Sequence, residues 1–157
     1  MNELFKQKLV TLKEFQDKYP TSHVGGSIGL FLRGINLLRD LSKSDLDITI
    51  DEMDIESEKS VLKTYEETSD NIDVDLNIKK VLPDGHYVKI DIRICPEPSF
   101  DVIEFEGVSY NVSKYRDIIF WKQKYAKKEV IKHRDDLETI KTGIRPLTAV
   151  QADDLPF

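Results

Sequence analysis

The sequence predicts a mixed α/β fold of the α+β kind: a mixed β-sheet flanked by helices, closed at the carboxy-terminal end by a helical pair. Three observations carry this. Apolar residues recur at helical spacing over residues 3–18 and again between 114 and 142. Alternating apolar and polar residues mark extended runs at Asp45–Ile50, Ile72–Val81 and Tyr87–Cys95. Helices and strands intermix along the chain with hairpin signals between strands, which favours a mixed sheet over a purely parallel one.

Taken in order, residues 3–18 place Phe5, Leu9, Leu12 and Phe15 on one helical stripe. Pro20-Thr21-Ser22 ends that helix and leads into a short strand, His23-Val24, and then the pair Gly25-Gly26. A largely buried helix is expected from Ser27 to about Leu38, with Ser27 as its amino-terminal cap. The strand Asp45–Ile50 follows, then a helix near Glu58–Tyr65. Ile72–Val81 and Tyr87–Cys95 flank Leu82-Pro83-Asp84-Gly85, a strong hairpin signal. A second pair, Val102–Glu106 and Val108–Val112, turns at Gly107. Ser113 reads as the cap of a helix from Lys114 to about Lys128, and a last helix spans about Ile131–Thr142 before Gly143. One domain is expected over residues 1–143, with its core at 20–113 and the helices at 114–143. The tail at 144–157 is expected to be extended.

Composition narrows the function classes. Charged residues are 33% and hydrophobic ones 39%, with no apolar run of membrane-spanning length, so a soluble protein without a membrane partner is expected. The amino terminus does not resemble a secretion signal, and the single cysteine, Cys95, can form no internal disulfide. A cytoplasmic, reducing setting is the expectation, with Cys95 as a small buried thiol. The three histidines are scattered and make no zinc motif. Charge is unevenly spread: residues 45–106 hold eighteen acidic side chains against six basic ones, while both flanking stretches are net positive. That pattern suits a cation-binding centre framed by segments that attract phosphate.

The chemistry concentrates in a few residues. Asp45 and Asp47 are two apart on a strand and therefore share a face, with Leu46 on the other. Like charges so close, on a residue type disfavoured in strands, are reconciled by a bound cation. Asp91 lies out of phase with Val88, Ile90, Ile92 and Ile94 and is the third expected ligand; Asp73 and Asp75 are its rivals. A Gly25-Gly26-Ser27 turn at a strand-to-helix junction can offer backbone N–H groups and a hydroxyl to phosphate. No Walker loop or dinucleotide fingerprint is present. Lys122 sits amid the apolar stripe of Tyr115, Ile118, Ile119, Tyr125 and Ala126, where it either snorkels or reaches an anion. Arg116, Lys124, Lys127 and Lys128 make the same helix a cradle for a triphosphate or an RNA backbone, with Asp117 its only acid. Asp136 is placed to pair with Lys122 or to fix the helix pair, and His133 either helps to position a substrate or, as the pattern favours, belongs with Arg134 to a plain polar helix face.

Together, Gly26-Ser27, Asp45-Leu46-Asp47 and Asp91 resemble the signature of the DNA polymerase beta-type nucleotidyltransferase superfamily. The chain looks most like its small bacterial and phage branch, the minimal nucleotidyltransferases and abortive-infection toxins. There a helix with a phosphate-contacting lysine precedes a Lys-x-x-Asp-Leu-like helix; Ile118–Lys122 and Lys132–Leu137 look similar. The resemblance spans roughly Pro20 to Gly143. It implies a nucleotidyltransferase fold and a toxin–antitoxin or phage setting. It implies an enzyme that moves a nucleoside monophosphate from an NTP such as ATP to a hydroxyl and releases pyrophosphate. Asp45, Asp47 and Asp91 would hold two Mg²⁺ ions, with Asp91 alternatively acting as general base. Gly25, Gly26, Ser27 and Lys122 would bind the nucleotide. The acceptor would be an RNA 3′ end, such as a tRNA, or a side chain of a partner protein. The alternatives are a non-catalytic nucleotide-binding or protein-interaction module of the same fold, such as an antitoxin or phage accessory protein, and a purely structural interaction protein that uses the Pro146–Phe157 tail. One departure from the family pattern is the seventeen residues between Ser27 and Asp45, where Arg39 and Lys43 either extend a loop or contact the acceptor.

Overall fold

The computed structural model describes residues 2–51, 76–95, 99–128 and 130–146. Helix α1 (Glu3–Lys18) begins where the Asn2 side chain accepts the Phe5 amide at 2.8 Å, with Glu3 in its first turn and Lys18 in its last. Its stripe of Phe5, Leu9, Leu12 and Phe15 joins the core formed by one face of the sheet. Gln16 exchanges hydrogen bonds with the Asn111 backbone and Lys80 pairs with Glu14, so the helix is pinned at both flanks. Short strand β1 (His23–Val24) then feeds α2 (Gly26–Leu32).

Helix α2 is shorter than its apolar pattern suggests, and Ser27 is its second residue rather than its cap. Gly34 adopts φ +84°, and the Gly34 and Ile35 amides bond back to the Phe31 and Leu30 carbonyls, a Schellman closure that stops the helix before Ile35 and Leu38. The turned-out segment 33–45 is the long interval seen in the sequence.

The sheet runs β3-β4-β2-β1-β6-β5, built from β2 (Leu46–Asp51), β3 (Leu76–Val81), β4 (Tyr87–Cys95), β5 (Phe100–Phe105) and β6 (Val108–Ser113). It is mixed: β4 lies parallel to β2 and β1 parallel to β6, while the other neighbours are antiparallel. The β5–β6 hairpin turns on Glu106 and Gly107, both at positive φ. Leu46, Ile48 and Ile50 pair with Ile90, Ile92 and Ile94, so the aliphatic residues of β2 and β4 face the same side. Period-2 alternation then sends their polar partners to the opposite face.

Over that polar face lie α3 (Tyr115–Lys127) and α4 (Ile131–Thr142), the latter ended by Gly143 at φ +77°. Lys114 precedes α3 and no side chain caps it; Ser113, expected as the cap, bonds His23 Nδ1 at 2.6 Å instead. Cys95, expected to be buried, is only half-buried at the end of β4. Among the described residues no helix is long and apolar enough to cross a membrane. The helix expected near Glu58–Tyr65, the start of the Ile72–Val81 run with Asp73 and Asp75, and the tail beyond residue 146 lie outside the described residues.

Candidate active site

Register decides which side chains meet. Asp47 of β2 is the direct neighbour of Asp91 on the parallel strand β4. Asp45, two residues earlier, projects from the same face and lies 3.8 Å from Lys89. All three aspartates therefore sit on the polar face, beneath α3 and α4. One step further along the strands, Arg93, Thr49 and His23 form a second row across the sheet, and Ser113 continues it through its bond to His23.

The glycine turn closes on the first row. The Gly25 amide donates to the Asp47 carbonyl at 2.8 Å, and Gly26 takes φ +59°. A Cβ at Gly26 would collide with Asp47 Oδ2, so only glycine lets the carboxylate rest against this backbone. Gly26→Ala is accordingly expected to displace Asp47 and to cost about 1–2 kcal/mol for the left-handed backbone alone. Thermal unfolding measures this, and wild-type stability in the variant would contradict the packing described.

The carboxylates are electrostatically loaded. Burial, then repulsion from Asp47 and Asp45, pushes Asp91 up to about 6. Its side chain is 5% exposed, and Oδ1 is buried with no hydrogen-bond partner among the described residues. Burial also raises Asp47, against the pull of Arg93 and Lys122, and raises Asp45 against Lys89. Such a set is costly in an apoprotein and suits a hard divalent cation, because every donor is a carboxylate oxygen. Among the described residues no three His, Cys, Asp or Glu side chains are gathered tightly enough to form a ready-made ligand set.

Ser27 links this row to a buried ionic cluster. Its Oγ accepts from Arg39 Nη2 at 2.7 Å and from Lys122 Nζ at 3.1 Å. Asp136, wholly buried, receives a two-pronged bond from Arg39 at 2.9 Å for each prong, a bond from Lys122 at 2.7 Å and another from Arg145. Burial alone would raise Asp136; the Arg39 hydrogen bonds and the charges of Lys122 and Arg39 hold it far below the usual carboxylate range. Three cations around one anion leave an excess of positive charge directly behind the Gly-Ser turn.

Lys122 is 2% exposed and is neither a snorkelling lysine nor a free one. Its three protons meet Ser27 Oγ, Asp136 Oδ2 and, at 3.3 Å, His133 Nδ1. Burial and the Lys122 charge push His133 down to about 3, so its ring is neutral and can accept that bond. The pairing of Asp136 with Lys122 follows the expectation from sequence. The part played by Arg39 does not: within the loop of residues 33–45, its guanidinium is buried on Asp136 and Ser27. Lys8 carries no signal in the sequence at all. Reaching from α1, its Nζ donates to the carbonyls of Ser42, at 2.7 Å, and Ser44, and so fixes the peptide leading into Asp45.

A cleft of about 530 Å³ opens beside these groups. His23, Gly25, Gly26, Asp47, Thr49 and Arg93 line its floor, and Lys122, Trp121, Tyr125 and His133 its helical wall. Arg93 ties floor to wall: its guanidinium stacks 4.3 Å from the Trp121 ring centre, and Nη2 donates to the Tyr125 hydroxyl at 2.7 Å. Volume and lining suit a nucleotide-sized ligand. A larger groove of about 710 Å³, lined by Phe5, Phe31 and Phe105 among others, contains none of the three aspartates. Comparison of the chain with protein-family models, with curated proteins and with solved structures gives no match, so the site stands on its own geometry.

Proposed function

We propose that this protein is a Mg²⁺-dependent nucleotidyltransferase that passes a nucleoside monophosphate from an NTP to a hydroxyl acceptor, releasing pyrophosphate. The observation that carries the reading is the pairing in register of Asp47 with Asp91, with Asp45 on the same face, against a backbone turn that only Gly26 permits. Asp45, Asp47 and Asp91 would hold the metal, whose bound charge would neutralise the triphosphate and lower the pKa of the attacking hydroxyl. The remaining work falls to this chain's own groups. Asp91, which burial and the neighbouring carboxylates push up to about 6, would alternatively take the proton of the acceptor hydroxyl as general base. The Gly26 backbone, which lines the cleft, would approach the phosphates, with the Ser27 hydroxyl behind it on Arg39 and Lys122, while the Gly25 amide stays on the Asp47 carbonyl. Arg39, Lys122 and Arg145 supply positive potential from behind. Trp121, covered by Arg93 and Lys124, and Tyr125, stacked on His133, would receive a base only by exchanging one of these partners for it.

One observation favours a second reading, a non-catalytic nucleotide-binding module. Every Lys122 proton already has an acceptor within the protein, so a phosphate would have to displace one of them. Incubation with each α-labelled NTP, Mg²⁺ and total RNA, followed by separation of labelled RNA from labelled protein, distinguishes the two. Transfer is expected, falling roughly 10³-fold or more in Asp45→Ala and Asp47→Ala as several kcal/mol of charge stabilisation are lost. Nucleotide and Mg²⁺ binding without transfer to either acceptor would favour the non-catalytic module.

A further inference from the structure

We infer that the outer face of α3 is a docking surface for single-stranded RNA, and hence that the acceptor is an RNA end rather than a protein side chain. The inference rests on the transfer reading above, because it names the acceptor of the same site, but the surface itself is observed independently. Asp117, Trp121 and Tyr125 recur every four residues and line the cleft. The neighbouring stripe of the helix carries Arg116, Phe120, Lys124 and Lys127, outside the lining of the cleft. Phe120 is 59% exposed, a large ring left in solvent beside cations rather than tucked into the core. It packs edge-on against Trp121 with ring centres 5.8 Å apart, so that exposed and cleft-lining aromatics are continuous.

Cations accompany the rings. Lys124 Nζ lies 4.7 Å from the Trp121 ring centre, and Lys128 Nζ lies 5.8 Å from that of Tyr125. Arg116 and Lys127 are exposed at either end of the stripe, about 16 Å apart along the helix axis at 1.5 Å per residue. The only acid on this helix, Asp117, faces the cleft instead.

Positive charge flanking the exposed Phe120 ring matches a single strand, whose phosphates need cations and whose unpaired bases need a stacking partner. A duplex hides its base faces and would leave Phe120 unused. An acidic peptide would satisfy the cations but gives no reason for an exposed aromatic ring joined to the rings inside the cleft. A strand laid on this stripe would bring its terminal ribose toward Asp47, which lines the cleft beside Trp121.

The test is binding of a fluorescent single-stranded RNA 12-mer, titrated at several salt concentrations. The proteins are wild type, the double variant Arg116→Gln/Lys127→Gln, and Phe120→Ala, all altered only at solvent-exposed positions. The double variant is expected to lower the slope of log affinity against log salt by roughly 1.4, about 0.7 per lost phosphate contact. Phe120→Ala is expected to weaken binding about 5- to 100-fold with the slope unchanged, the loss of one base stack. Unchanged affinity and slope in both variants, or equally tight binding of a duplex of the same length, would overturn the inference. So would transfer of label to protein in place of RNA, a result that leaves the nucleotidyltransferase reading standing. Binding that behaves as expected, with no transfer of label to any acceptor, would support this surface and remove the catalytic reading instead.

Discussion

Asp136→Ala is expected to lower the free energy of unfolding by about 3–5 kcal/mol, the usual result of removing one partner from a buried ion cluster. Three cations converge on this carboxylate, none with access to water, and its loss leaves Arg39, Lys122 and Arg145 facing one another. Each comes from a different part of the chain: the segment after α2, helix α3 and the stretch after α4. Asp136 therefore ties the helical pair to the segment after α2, and the variant should lose that attachment first. The sign with pH follows from the depressed pKa. The contribution is complete above the unfolded value of 3.8 and is lost only as pH falls toward the much lower folded value. Urea unfolding at pH 7 measures the effect, and an unchanged midpoint would show that the cluster does not hold the helices in place.

Asp91→Asn is expected to act in the opposite direction on stability while abolishing transfer. The folded pKa of Asp91 is raised from an ordinary value of 3.8 to about 6, so the native state binds its proton more tightly than the unfolded chain does. Its effect on stability is neutral below about pH 4, grows unfavourable between about 4 and 6, and is fully unfavourable above about 6. The amide variant escapes that penalty. Its gain at pH 8 is about 3 kcal/mol, since each tenfold change in proton affinity is worth about 1.4 kcal/mol, and it should vanish toward pH 4. A side chain whose removal stabilises the fold and ends activity is placed for function rather than for folding. Denaturant midpoints of wild type and variant across pH 4–8 give the comparison. A variant less stable at pH 8 would show that Asp91 serves the fold.

Much of this architecture is legible in the chain because it rests on local pattern. Strand β4 coincides with the alternating run Tyr87–Cys95, and α1 and α4 with their periodic stretches. Sharing of a face by Asp45 and Asp47 follows from period-2 geometry alone. The aliphatic residues fix the phase of β2 and β4, which puts Asp47 and Asp91 on one face. A two-residue slip would keep that phase, so their direct pairing is seen only in the register of the structure.

What the pattern does not reveal is long-range or hidden by competing signals. Arg39 and Asp136 are 97 residues apart, and nothing local marks an arginine in a loop as the partner of a helical aspartate. The apolar periodicity of α2 continues through Ile35 and Leu38 although Gly34 ends the helix, so a single terminator outweighs the pattern. Ser27 and Ser113 each stand where a cap is expected, yet their hydroxyls are claimed by tertiary partners: Arg39 and Lys122 for one, His23 for the other. Lys8 sits among apolar residues of α1, where sequence alone gives no sign that its ammonium crosses to the carbonyls before Asp45.

Calorimetric titration of Mg²⁺ into wild type and into Asp47→Asn tests most directly whether the aspartates share a cation. Saturable binding in the wild type, absent or at least about tenfold weaker in the variant, is the expected result, a difference of about 1.4 kcal/mol or more. Equal binding by both proteins, or none by the wild type with NTP present, would contradict it.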